Sequence, residues 1–218
     1  MKPVDVLKYF DVRFATISLT GDGRREHPIL MALAERYNGS GNVLQLPAVV
    51  APLGHGNKKV GRFCGFSVLQ AIPTYVTKFK YGKYLFLIDI EHFSDSENVR
   101  REIEHELTGR GFAQIKINPI ANQAFLIKCR HGFHEITIHT VIFGKEKNIE
   151  ENLAMLVFLE FGLRVESTKP AVDQVLRQKG INLYALIKNA RQNNVKRALP
   201  DLAAAFESIE KTARRTTS

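Results

Sequence analysis

Tryptophan is absent from the 218 residues, and cysteine occurs only twice, as Cys64 and Cys129. Two cysteines in strand-like text, with no C-x-x-C, exclude a disulfide framework and leave no basis for a structural zinc site. Apolar runs stop at strand length, so no segment reads as a membrane span. Residues 1–5 (MKPVD) lack the apolar core of a signal peptide, and the expected location is therefore cytoplasmic. Internal repeats and low-complexity linkers are missing. So is G-x-x-x-x-G-K-[ST], which excludes a Walker-type phosphate loop. Acidic residues are the minority charge, 22 against 31 Lys and Arg, leaving a net +9 that favours anionic partners, nucleic acid first.

What is present reads as an α/β chain. Apolar residues make up 44% and charged residues 24%, which excludes global disorder. The length suits an α/β core over residues 1–145 with a helical C-terminal region over 146–218 packed on it. Segment 13–20 (RFATISLT) predicts a strand, broken by Gly21-Asp22-Gly23. Residues 24–37 then carry a helical stripe of Ile29, Leu30, Ala32, Leu33 and Tyr37, with Pro28 near its start. Segment 42–50 predicts a second strand, at an edge because of Pro47. A helix is expected over 66–78, with Pro73 in conflict.

Segment 84–90 (YLFLIDI) is apolar almost throughout, as suits a strand covered on both faces. A charged helix follows over 96–110, with Ser96 as its N-cap, and then a strand over 112–117. This order predicts a βαβ unit with parallel pairing. Segments 124–129 and 135–143 predict two further strands joined by a turn at His131-Gly132. Beyond Gly144 the text is helical, over 149–163, 169–179, 181–191 and 199–212.

Three acidic residues occupy places that invite chemistry. Asp22 lies in the turn after the first strand, and Asp89 and Glu91 close the most apolar one. Ligands of parallel α/β sheets bind at the carboxyl ends of the strands. Residues two apart on a strand share a side, so Asp89 and Glu91 are expected to present their carboxylates together. Such a pair suits Mg²⁺ (or Mn²⁺), which takes one or two carboxylates along with water and substrate phosphate. The plain structural alternative makes Asp22 a helix cap and Asp89 and Glu91 loop residues.

Leu19-Thr20-Gly21-Asp22-Gly23-Arg24-Arg25-Glu26 and Tyr84-Leu85-Phe86-Leu87-Ile88-Asp89-Ile90-Glu91 together resemble the two motifs of the TOPRIM domain. That domain is the metal-binding catalytic module of topoisomerases, primases and nucleases such as the overcoming-lysogenization-defect family. The likeness covers residues 13–117, and the chain looks most like small stand-alone TOPRIM-like proteins. It departs from the pattern at two positions. Asp22 stands where the family has Glu, and Glu91 replaces the second Asp of D-x-D. The resemblance implies a Rossmann-like or TOPRIM-like, mainly parallel sheet with flanking helices and a helical C-terminal region. It also implies a metal-dependent nuclease or related phosphoryl-transfer enzyme. Asp22 would then be general acid/base or metal ligand, Glu26 a substitute acid, and Asp89 and Glu91 the metal ligands.

Two basic stretches complete the reading. Residues 54–62 (GHGNKKVGR) put His55, Lys58, Lys59 and Arg62 among glycines, where backbone N–H groups and cations can both meet phosphate. Lys78 and Lys80 alternate with Phe79, Tyr81 and Tyr84, an arrangement suited to stacking bases between cations, although such aromatics also pack cores. His92 follows Glu91 beside the acidic site, where it either contacts phosphate or has no role. Nucleic acid, DNA or RNA, is thus the expected partner and a membrane is not, while a homodimer is an assembly the reading allows. Two other functions stand beside the enzyme. One is a non-catalytic nucleic-acid- or nucleotide-binding module with a degenerate TOPRIM-like site, and the other is an interaction protein that docks through its C-terminal helices.

Overall fold

The computed structural model describes residues 16–20, 25–38, 65–145 and 148–216. Within them, strands β1 (Ile17–Thr20), β2 (Lys83–Asp89), β3 (Ala113–Ala121), β4 (Ala124–His131) and β5 (His134–Phe143) form one sheet in the order β1-β2-β5-β4-β3. The described helices are α1 (Glu26–Asn38), α2 (Ile72–Phe79), α3 (Val99–Gly109), α4 (Ile149–Phe161), α5 (Lys169–Gln178), α6 (Leu183–Asn189), α7 (Gln192–Ala198) and α8 (Pro200–Thr216). None of them is long and apolar enough to cross a membrane.

The apolar run of β2 matches its interior place. Tyr84, Leu85, Phe86, Leu87 and Ile88 are all buried, with β1 on one side and β5 on the other. Alternation along the strand divides them between two layers. Leu85 and Leu87, with Val141 and Phe143 of β5, pack under α1 and the C-terminal helices. Tyr84, Phe86 and Ile88 pack against a 3-10 segment (Gly65–Ala71), α2 and α3. Tyr84 reaches its buried position with its hydroxyl donating to the Tyr81 carbonyl at 2.5 Å.

The strand order corrects the expected βαβ unit. β2, α3 and β3 do follow one another, but β3 lies at the far edge and β5 sits beside β2. Burial explains the exchange. β5 is β-branched, and Ile138–Phe143 are buried throughout, whereas β3 exposes Ala113, Gln114, Lys116, Asn118 and Pro119. A strand that is half exposed and contains a proline belongs at an edge. The sheet is therefore mixed: β1-β2-β5 pair in parallel, while β5-β4 and β4-β3 pair antiparallel.

Smaller corrections follow from local hydrogen bonding. Pro73 does not break a helix over 66–78, because the chain changes from 3-10 to α-helix at Ile72 and leaves the proline in a first turn that needs no N–H. The charged helix has Asn98 rather than Ser96 at its N-cap position, with no side-chain capping bond, since Asp95 Oδ1 accepts from the Glu97 N–H at 2.9 Å and holds residues 95–98 in a turn. Residues 192–198 form a helix of their own between the two segments expected to be helical.

The C-terminal helices are tied to the first one. Arg36 Nη1 donates to the carbonyls of Ile187 (2.8 Å) and Ala190 (2.7 Å), and the Tyr184 hydroxyl donates to Glu35 Oε2 at 2.6 Å. On the same layer His139 is buried, with Nε2 3.2 Å from Ser208 Oγ, and this contact fixes α8 over β5. Burial pushes the His139 imidazole down to about 4, so it is neutral at pH 7.

Candidate metal centre

β2 ends at Asp89, and the next three residues, Ile90–His92, form a 3-10 turn. Glu91 is therefore not on the strand, and strand alternation is not what brings the two carboxylates together. The turn does it instead: Ile90 is buried as an anchor, and Glu91 and His92 fold back into the open beside Asp89. One ligand atom from each of Asp89, Glu91 and His92 lies within 4.8 Å of the others. The His92 ring rests on Gly65, where a Cβ would stand only 2.9 Å from its Nδ1. Gly65 also has φ +52°, a left-handed conformation that favours glycine.

Two more carboxylates converge from other elements. Glu26, first residue of α1, is buried at 6% exposure. Glu150, in the first turn of α4, is buried at 8% and accepts from Arg25 Nε at 3.1 Å. Arg25 Nη1 donates onward to Asp173 Oδ1 at 2.6 Å, while its Nη2 is buried without a hydrogen-bond partner among the described residues. Asp89 feels the whole group. Burial, then the charge of Glu26, then those of Glu91 and Glu150, push its carboxyl up to about 7, against the opposing pull of the Ile149 N–H, which donates to Oδ1 at 3.0 Å.

Two carboxylates and an imidazole within 4.8 Å make a donor set that fits a divalent ion with mixed oxygen and nitrogen preference. Mn²⁺ accepts an imidazole more readily than Mg²⁺, which favours oxygen alone. A cation here would also relieve the crowding of like charges around Asp89.

The expected site residues fare unequally. Asp89 and Glu91 are brought together, with Glu26 beside Asp89. Asp22 lies outside the described residues, as do His55, Lys58, Lys59 and Arg62 of the basic loop, and Cys64. Lys78 and Lys80 are exposed on and just after α2. They precede β2, so they belong at its amino end, roughly 20 Å along the strand from Asp89. Of the aromatics between them, Tyr81 and Tyr84 are buried core and closed to a base, and Phe79 is half-buried against the same cluster. Glu150 is the residue that sequence reasoning misses. Its signal is the position of 149–163 directly after a strand, but that becomes readable only once β5 is known to lie parallel to β2, which sets the start of α4 beside Asp89.

Two cavities of about 660 and 770 Å³ open further along the carboxyl edge and share Asn122 and Gln123. The first is floored by Phe125 and Ile142 and flanked by Arg100 and Arg101, and the second lies between Lys145, Arg197 and Asp201. The acidic cluster lines neither. No family model matches the chain, and no match was found among curated proteins or among solved structures.

Proposed function

We propose that the chain is a metal-dependent nuclease, or a related phosphoryl-transfer enzyme, that uses a TOPRIM-like acidic cluster at the edge of a Rossmann-like sheet. The observation that carries this reading is the convergence of Asp89, Glu91 and His92 within 4.8 Å at the carboxyl end of an interior parallel strand. Asp89, Glu91 and His92 would hold Mn²⁺ or Mg²⁺, which supplies charge neutralisation and orientation for a phosphodiester. Glu26, buried at the start of α1 and near enough to Asp89 for its charge to raise that carboxyl, is placed for proton transfer. Asp22 keeps the role that the motif resemblance gives it.

One observation favours a second reading, a nucleic-acid- or nucleotide-binding module without turnover. Asp89 Oδ1 holds the Ile149 N–H, and Glu150 is paired with Arg25, so part of the carboxylate set serves to seat α4. The two readings separate in one experiment. Plasmid DNA and a structured RNA are incubated with the protein in Mn²⁺ or Mg²⁺, alongside Asp89→Asn and Glu26→Gln, and Mn²⁺ binding is measured by calorimetry. The enzyme reading expects Mn²⁺-stimulated cleavage that falls at least 100-fold in both variants. Binding of Mn²⁺ without cleavage leaves the binding module, and neither binding nor cleavage removes the metal centre altogether.

A further inference from the structure

At the amino end of the sheet, the face that carries α8 is basic. Register aligns Lys116 of β3, Lys128 of β4, Thr137 of β5 and Lys83 of β2 in one row across four strands. Strand spacing makes that row about 14 Å long. Lys116 and Lys128 stand directly opposite each other and are both exposed. Like charges so placed destabilise a sheet, which makes the arrangement costly unless an anion sits across it. Arg130 extends the patch toward the hairpin tip, with Glu135 opposite it. The Ser208–His139 contact aims α8 toward this row, and the helix carries exposed Lys211 beyond that contact. At the tip itself, Phe133 is 97% exposed, next to Gly132 at φ +58°. An aromatic ring held out on a tight turn beside a cationic row is an unusual use of apolar surface.

We infer that this face binds single-stranded nucleic acid, with Lys116, Lys128 and Arg130 on the phosphates and Phe133 stacked on a base. A base offers its flat face to a protein ring only when it is unpaired, so the tip suits a single strand and not a duplex. One isolated ring is too little apolar surface to anchor the patch in a membrane. The surface lies at the opposite end of β2 from Asp89. That the bound strand is also a substrate rests on the proposed nuclease reading; that it binds does not.

The test is fluorescence anisotropy of the full chain in EDTA. The probes are labelled 20-nucleotide single strands of DNA and RNA and the matching duplex, with phosphatidylserine-containing vesicles as a separate arm. Lys116→Gln/Lys128→Gln is expected to weaken single-strand binding at least 10-fold and to flatten the log–log salt slope by about 1.4, at roughly 0.7 for each phosphate left without its lysine. Phe133→Ala is expected to weaken binding about 5-fold or more with the slope unchanged, since stacking releases no counterion. All these positions are exposed, and circular dichroism and melting temperature confirm that each variant folds. Equal binding by wild type and the lysine variant overturns the proposal, as does a preference for duplex or for vesicles. Absent cleavage with intact, lysine-dependent binding would sink only the nuclease reading.

Discussion

Asp89 carries the main tension at the scale of the residue. Its carboxyl titrates near 7 in the folded chain against 3.8 for the free side chain. Between those values the folded protein holds a proton that the unfolded chain has released, so the contribution of Asp89 to stability falls as pH rises through that window. Above pH 7 the full cost applies, on the order of 4 kcal/mol at most. Asp89→Asn removes the ionisation and keeps an Oδ1 to accept from Ile149. The variant should therefore be more stable than wild type at pH 8, with the gain vanishing near pH 4, as read from urea unfolding at a series of pH values. A gain that does not depend on pH, or a loss at pH 8, would show that the neighbouring carboxylates do not crowd Asp89. Saturating Mn²⁺ should erase the difference by stabilising wild type alone.

The link between elements that matters most is the turn from β5 into α4. Gly144 sits there at φ +79°, and a Cβ would come within 2.5 Å of the Asn148 nitrogen and 2.8 Å of its carbonyl oxygen. Those are backbone atoms, which cannot swing aside. Gly144 N–H also donates to Asn152 Oδ1 at 3.1 Å, and Asn148 Oδ1 caps α4 by accepting from the Glu150 N–H. Gly144→Ala is expected to cost about 2–4 kcal/mol and to lower the melting temperature by roughly 10 °C, through strain at positive φ and the clash. It should also weaken Mn²⁺ binding, because the turn delivers Ile149 to Asp89 and Glu150 to Arg25. A variant that melts normally would mean the turn has room to relax.

At the scale of the whole molecule, the described residues are organised around one sheet with a helical layer on each face. The face under α1 and α4–α8 has no other cover among the described residues: Leu85, Leu87, Val141 and Phe143 are all buried there. Removing α4–α8 leaves α1 as the only described cover of this face, and exposing even two of the four side chains costs roughly 4 kcal/mol, a large share of the stability of an ordinary domain. A fragment of residues 1–145 is therefore expected not to fold alone, to be checked by circular dichroism and by the absence of a cooperative melt. A cooperative transition in that fragment would show the C-terminal helices to be an appendage.

Local pattern decided a good part of this architecture. YLFLID reads as a strand covered on both faces because five consecutive apolar residues have no other favourable place. The acids at its end, the hairpin around Gly132 and most of the C-terminal helices follow from short-range periodicity and turn chemistry. Which strand lies beside β2 is beyond that pattern, since β3 and β5 differ in burial rather than in strand character. The same holds for Glu150 beside Asp89, separated from it by about sixty positions, for Tyr81 and Tyr84 turning inward, and for three lysines meeting across four strands. Periodicity along a chain records which way a side chain faces. Only closure of the sheet, governed by how apolar surface is shared between its two layers, determines what that side chain meets.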